Sequence, residues 1–362
     1  MINDKILFLD PYSQTKTKKA EQLLQCMRGL VEHHRENCES YNRILKSRDV
    51  TASSIRTIAD IPFLPVRLFK DYTLRSVAGD QVFKTMKSSG TTGQKVSQIF
   101  LDREATALQT KILTTIVSSH IGKARLPMLV LDTASVMQNR NTFSARAAGI
   151  RGFSIFARNQ HFAFDEQMKL DQRKLGAFLD KYGDKKFLVF GFTFMIWKHF
   201  YNALQSLNYR PDMSKAFLIH GGGWKTLTDV AVDAEAFKSG LAATCRIPSS
   251  NIRDYYGMVE QTGTIHMECE HGVLHTSVYG DVIVRRHTDF KPVAPGESGV
   301  IQVLSVLPTS YPGHSLLTED EGKFLGEDDC PCGRKGKYFK VLGRLKNAET
   351  RGCSDTYAQQ MA

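Results

Sequence analysis

The run Lys87-Ser-Ser-Gly-Thr-Thr-Gly-Gln-Lys95 packs hydroxyl side chains and two glycines between lysines. Such a loop suits phosphate. Gly90 and Gly93 let backbone N–H groups approach anionic oxygens, Ser88, Ser89, Thr91 and Thr92 add donors, and Lys95 supplies positive charge. It is not a Walker A loop, because two residues rather than four separate the glycines and Val96 follows Lys95 where Ser or Thr should stand. The pattern therefore argues against a P-loop kinase or GTPase.

A second glycine cluster, Gly221, Gly222 and Gly223, lies in His220-Gly-Gly-Gly-Trp224 behind an apolar run and lacks the Rossmann spacing. It reads either as a ligand-facing strand end or as a glycine-rich end packed by the Trp. Cys269, His271, His275, Cys330 and Cys332 form a third constellation. Cys330-Pro-Cys332-Gly makes a tight knuckle, so soft ligands could close a tetrahedral Zn²⁺ site joining two β segments, with His275 preferred over His271 as fourth ligand. The alternative is a set of free buried thiols.

The elements that must position these groups fall into three stretches. Residues 1–80 read as helical, with Leu23, Leu24, Met27, Leu30 and Val31 at helical spacing and a proline-bounded turn at Asp60-Ile-Pro-Phe-Leu-Pro65. From about residue 100 to 260, apolar runs at Met128–Leu131, Phe187–Phe190 and Phe217–Ile219 alternate with longer helix-period runs, the rhythm of parallel βαβ units. Over 260–345 the pattern becomes short extended runs, Val273–Val278, Val282–Arg286, Val300–Val306 and Tyr338–Leu342, the mark of antiparallel β structure. The expected fold is thus an α/β body over 1–345 with a distal β-rich part, followed by a tail over 346–362.

The 362 residues, 42% of them hydrophobic, suffice for a sizeable core. The net charge of +11 comes with no nucleic-acid-binding motif, and the Lys16, Lys18, Lys19 cluster reads as a solvated helix surface. No window approaches the ~18 uninterrupted apolar residues of a membrane span. Seven cysteines, an odd number, and a start without signal-peptide character lead us to expect a cytoplasmic protein.

The Lys87–Lys95 loop resembles the phosphate-binding signature of the adenylate-forming superfamily of acyl-CoA synthetases, luciferases and adenylation domains. Tyr255-Tyr-Gly-Met-Val-Glu260 is similar to its aromatic-Gly-x-x-Glu motif, which implies that Tyr256 and Gly257 lie by the adenine and that Glu260 holds Mg²⁺. Leu317-Thr-Glu-Asp320 looks like the segment whose aspartate binds the ribose, and Gly343-Arg-Leu-Lys346 like the hinge whose Arg344 also reaches it. The resemblance places Gly221 to Gly223 against the adenine face.

Within the superfamily the resemblance narrows. Asp60-Ile-Pro-Phe-Leu-Pro-Val-Arg-Leu-Phe-Lys70, Leu304-Ser-Val-Leu-Pro-Thr-Ser-Tyr-Pro-Gly-His314, Cys330-Pro-Cys-Gly-Arg334 and Ala348-Glu-Thr-Arg-Gly-Cys-Ser354 are similar to the acyl-protein synthetases of bacterial fatty-acid reductase complexes. This implies ATP-dependent activation of a fatty acid, transfer of the acyl group to Cys353 as a thioester, and delivery to a partner acyl reductase. Arg351 and Gly352 suit such a thiol, the first lowering its pKa and the second keeping it accessible. Phenylacetate-CoA ligase-like proteins show a similar Cys, His and Cys-x-Cys pattern, which favours a structural zinc. Superfamily members typically continue into a small domain carrying a catalytic lysine; here that domain is expected to be truncated or absent, leaving Lys95, Lys346 and Arg351 as candidate cations for the reacting phosphate. Two other readings stand: an acyl- or aryl-CoA ligase using the same adenylate, and a non-catalytic nucleotide-binding scaffold.

Overall fold

The structure, a computed structural model, describes residues 4–88, 96–137, 145–224 and 231–345. The long amphipathic helix α1 (Lys16–Asn37) buries Leu23, Met27, Leu30 and Val31 along one stripe, and Cys38 turns the chain into α2 (Glu39–Ser47). Beyond Ser47 the helical expectation for residues 1–80 gives way to short turns. Pro62 and Pro65 cannot occupy a helix interior, and Leu64–Pro65 instead forms β1, before a single turn α3 (Leu68–Asp71).

An antiparallel hairpin of β2 (Lys84–Lys87) and β3 (Gln98–Leu101) carries the two ends of the phosphate-type loop. Helix α4 (Arg103–Ile121) follows, its N-terminus capped by the Asp102 side chain accepting from Ala105 N at 2.7 Å. The anticipated βαβ rhythm then unfolds through β4 (Leu126–Val130), α5 (Ala145–Ser154), β5 (Ala157–Phe162), α6 (Gln172–Tyr182) and β6 (Phe187–Phe192). Next come α7 (Thr193–Met195), running through a π-turn into α8 (Asn202–Ser206), then β7 (Ala216–Gly221), α9 (Ala234–Cys245) and β8 (Ile252–Tyr256). These strands lie parallel in the order β5-β4-β6-β7-β8. Every residue of β4, β6 and β7 is buried, as expected of parallel strands covered on both faces. Phe190 and Phe194 belong to this core.

The distal residues are β-rich, as expected, yet they extend the same sheet. Strands β9 (His266–Glu268), β10 (Leu274–His275), β11 (Gly280–Arg285), β12 (Ser298–Ser305), β13 (Ser315–Glu327) and β14 (Lys337–Arg344) continue it antiparallel in the order β8-β9-β10-β14-β13-β12-β11. Direction flips at the β8–β9 pair, where Tyr255 faces Met267 and Tyr256 faces His266. β1 joins by lying parallel to β13, Leu64 opposite Leu316 and Pro65 opposite Leu317. Of the expected run Val273–Val278, Leu274 and His275 form the paired strand. β13, the longest strand, carries register shifts at Glu321/Gly322 and Phe324/Gly326 that break a clean alternation of apolar and polar residues.

Lys16, Lys18 and Lys19 do lie on α1, but Lys19 is not part of a solvated surface. It is 4% exposed, donates to Thr276 Oγ1 at 2.7 Å and pairs with Asp281 at 3.2 Å, while Lys337 holds the other carboxylate oxygen at 2.7 Å. The physical reason is that a buried carboxylate in a β-sheet must find positive charge, and α1 supplies it from the far end of the sequence. Burial alone would raise the Asp281 carboxyl, but the two lysines hold it well below its ordinary value. No described helix is long and apolar enough to cross a membrane. Replacing Lys19 by Met leaves Asp281 with Lys337 alone, and we expect unfolding in urea to show a loss of about 3 kcal/mol, the lower end for breaking a buried ion pair. A loss within about 0.5 kcal/mol, typical of a surface site, would mean that the pair does not hold α1 to the sheet.

Candidate active site

The floor of the site is the C-terminal edge of β7 and β8, where parallel strands leave their ends open to ligand. Gly221 closes β7 because nothing larger fits: a Cβ there would stand 2.4 Å from the Tyr255 ring on β8. Gly222 follows at φ +79°, a left-handed conformation that bends the chain out of the sheet, with Gly223 and Trp224 beyond it. His220 is turned to the other face, its Nδ1 2.9 Å from Thr193 Oγ1 and 3.8 Å from a carboxylate oxygen of Asp254.

Tyr256, Asp320 and Arg344, distant in sequence, meet here. The Tyr256 hydroxyl donates to Asp320 Oδ2 at 2.7 Å, and Arg344 Nε stands 3.7 Å from Asp320 Oδ1. The register of β13 on β14 sets Asp320 directly opposite Arg344, so the meeting follows from strand pairing. Burial and the neighbouring Asp320 raise the Tyr256 phenol well above its ordinary value, so it stays a donor. Behind it, His266 stacks at 6.3 Å and Phe339 meets it edge-on at 6.2 Å, which fixes the ring.

Gly257 leads from β8 into a 3₁₀ turn, Val259–Gln261, that presents Glu260. The Tyr311 hydroxyl donates to Glu260 O at 2.8 Å, and Gln261 Nε2 donates to Gly313 O at 2.8 Å, so the turn is pinned from both sides by the 311–313 bend. Glu260 is 7% exposed. Burial pushes its carboxyl upward, while Ser97, Lys70 and Arg344 each draw it back down. Ser97 is also the exit of the phosphate-type loop: Ser88 N donates to Ser97 O at 3.1 Å and Ser97 N to Ser88 Oγ at 2.9 Å, closing the loop at its base. Ser89, Gly90, Thr91, Thr92, Gly93 and Lys95 lie outside the described residues, as do Lys346, Arg351 and Cys353.

Two polar groups of the site were left unassigned by the sequence. Asp254 lies two residues before Tyr256, with a carboxylate oxygen 3.8 Å from His220 Nδ1; no motif marks it. Lys70 closes the quoted segment Asp60–Lys70 and its charge acts on Glu260, a neighbourhood that the sequence hides because almost two hundred positions separate them.

Elsewhere on the antiparallel half, Cys269, His275, Cys330 and Cys332 bring one ligand atom each to within 4.8 Å of one another. Cys269 Sγ and Cys330 Sγ are 3.9 Å apart, and Cys332 Sγ is 3.4 Å from His275 Nε2. Zinc bonds of about 2.3 Å to sulfur and 2.0–2.1 Å to nitrogen imply tetrahedral edges of about 3.8 and 3.5 Å, so the donor set fits that ion. His275, not His271, is the imidazole in the cluster. Gly333, at φ +78°, closes the knuckle by donating to Cys330 O at 3.0 Å.

The sequence matches the acyl-protein synthetase family, LuxE, over residues 1–362. The chain belongs to this family. Among acyl-protein synthetase relatives, it is 23% identical over 370 residues to the long-chain-fatty-acid–luciferin-component ligase of Vibrio harveyi, covering 98% of this chain and 93% of that one. The ligase of the same description from Aliivibrio fischeri is 23% identical over 373 residues, covering 98% and 92%. Among solved structures, an open conformation of 2-hydroxyisobutyryl-CoA ligase in complex with 2-HIB-AMP and CoA superimposes with a TM-score of 0.71 at 14% identity, over 97% of this chain and 82% of that one. The same ligase in its postadenylation state gives 0.69 at 14% identity, over 94% and 70%. At these identities the likeness establishes the adenylate-forming fold.

Proposed function

We propose that this acyl-protein synthetase activates a fatty acid with ATP as an acyl adenylate and transfers the acyl group to its own Cys353 for delivery to a partner acyl reductase. The observation that carries the first half is the convergence of Tyr256, Asp320 and Arg344 beside Glu260 and the closed base of the phosphate-type loop. In this reading Gly221 to Gly223 and the Tyr256–Gly257 strand end form the adenine floor, Asp320 and Arg344 take the ribose hydroxyls, and Ser88 to Lys95 cradle the phosphates. Lys346, two residues after Arg344 in the sequence, is assigned to the nucleotide in this reading by motif likeness alone. The buried Glu260 carboxyl, pushed upward by burial, suits a divalent cation, whose charge would favour its ionised form. Mg²⁺ bound there would supply neutralisation of polyphosphate charge.

A carboxylate oxygen of the acid forms a bond to the α-phosphorus, the bridge bond to the β-phosphoryl group breaks, and its electron pair leaves with pyrophosphate. The residues contribute orientation and charge stabilisation. The Cys353 thiolate then forms the carbon–sulfur bond at the acyl carbonyl, and AMP departs with the pair from the broken carbon–oxygen bond. Cys269, His275, Cys330 and Cys332 would hold a structural zinc ion, which would tie β9 and β10 to the segment preceding β14.

Purified protein should catalyse fatty-acid-dependent exchange of labelled pyrophosphate into ATP, and Glu260→Gln should lower the exchange rate on the order of 10²-fold, as expected for losing a group that organises charge at the reacting phosphates. Exchange stimulated by no acid in a panel of chain lengths would contradict adenylation. Elemental analysis should find about one zinc per chain, with Cys330→Ala and Cys332→Ala each abolishing it and lowering the thermal midpoint. Metal-free protein of unchanged midpoint would leave the four side chains as plain core residues.

A further inference from the structure

The segment Asp60–Lys70 is drawn to the site by a series of non-local contacts. Leu64 and Pro65 pair with Leu316 and Leu317, and Val66 N donates to Leu317 O at 2.9 Å, three residues before Asp320. Phe69, 1% exposed, packs edge-on against the Tyr311 ring at 6.1 Å. That tyrosine is the residue whose hydroxyl holds Glu260 O at 2.8 Å. Phe69 is thus locked to the support of Glu260, and Lys70 is the next residue.

The same turn, α3, packs against β3, the strand leaving the phosphate-type loop. Ser310 ties these parts together, accepting from Ser76 N at 2.8 Å and donating to Phe100 O at 2.8 Å. Lys70 is half-buried on this turn, near enough to Glu260 for its charge to draw that carboxyl down. Lys95, Lys346 and Arg351, the cations offered by sequence alone, lie outside the described residues, whereas Lys70 is carried on a packed turn.

We propose that Lys70 is a polyphosphate-binding cation of the adenylation step, contacting the β- and γ-phosphoryl oxygens of ATP opposite Glu260. The proposal rests on the adenylation reading given above. As the acid's oxygen bonds to the α-phosphorus and the bridge to the β-phosphoryl group breaks, negative charge accumulates on the departing pyrophosphate. A compact ammonium at that end stabilises it without giving up its proton. Lys70 stands on a turn already packed through Phe69 against Tyr311, so its place is set before the charge develops.

The test compares wild type, Lys70→Met, Lys70→Arg and, as a control on the same turn, the exposed Arg67→Ala. Lys70→Met keeps most of the aliphatic stem, so its thermal midpoint should match wild type. Its fatty-acid-dependent pyrophosphate exchange should fall on the order of 10²-fold, the range for a lost charge-stabilising group. Calorimetric titration with ATP and no acid should show about tenfold weaker binding. Lys70→Arg should recover a large part of both losses because the charge is retained, and Arg67→Ala should behave as wild type. Exchange and ATP affinity undiminished in Lys70→Met overturn the proposal. So does a loss that arrives with a lowered thermal midpoint and no recovery in Lys70→Arg, the mark of a structural lysine. Failure of the wild-type protein to bind ATP or to exchange with any acid strikes the adenylation reading itself and removes the proposal with it.

Discussion

A carboxylate taken out of water must be met by positive charge or by a proton, and the placement of Glu260 imposes this requirement on everything around it. The residue sits in a turn whose two flanks are pinned by Tyr311 and Gly313, so it cannot swing out to solvent. Its compensation arrives from three remote parts of the chain: Ser97 at the exit of the phosphate-type loop, Lys70 on α3 and Arg344 on β14. Bringing these together needs a sheet in which the N-terminal segment, the hairpin and the last strand all reach one point. The fold meets that need by joining β1 to β13, packing α3 on β3, and pairing β13 with β14.

The change of strand direction at β8 and β9 divides the work. Parallel strands β7 and β8 end in glycine and aromatic residues, giving an open floor on which a flat ring can lie. The antiparallel half brings side chains in by register, so Asp320 and Arg344 face one another across one ladder position and Tyr256 bonds to the aspartate from the junction. A loose distal part could not hold that register. The Cys269, His275, Cys330 and Cys332 side chains gather β9, β10 and the segment before β14 at one point, and the Lys19–Asp281–Lys337 set ties α1 to this half.

Local patterns carried much of this into the sequence. Met128, Phe187 and Phe217 each mark a strand because parallel strands buried on both faces must be apolar throughout, and the spacing of Leu23, Met27 and Leu30 marks α1 for the analogous helical reason. Tyr256, Asp320 and Arg344 were legible through motif likeness, and the structure brings them together. What escaped was non-local. Lys19 resembles a surface residue until Asp281, 262 positions away, is known to face it. β13 escaped because its bulges interrupt the alternation that identifies a strand, and Val273–Val278 was overextended because beyond His275 the chain turns to other partners, Val278 N donating to Pro11 O. Lys70 stood inside a recognised segment with no sign of what it would face.

The account centres on one chain that both makes the acyl adenylate and receives the acyl group. Its most direct measurement is the intact mass of purified protein after incubation with MgATP and fatty acids, without coenzyme A, before and after neutral hydroxylamine. The account predicts an ATP-dependent gain of one acyl group that hydroxylamine removes and that peptide mapping places on Cys353. Release of pyrophosphate with no gain in mass would contradict it and point instead to an acceptor outside the chain.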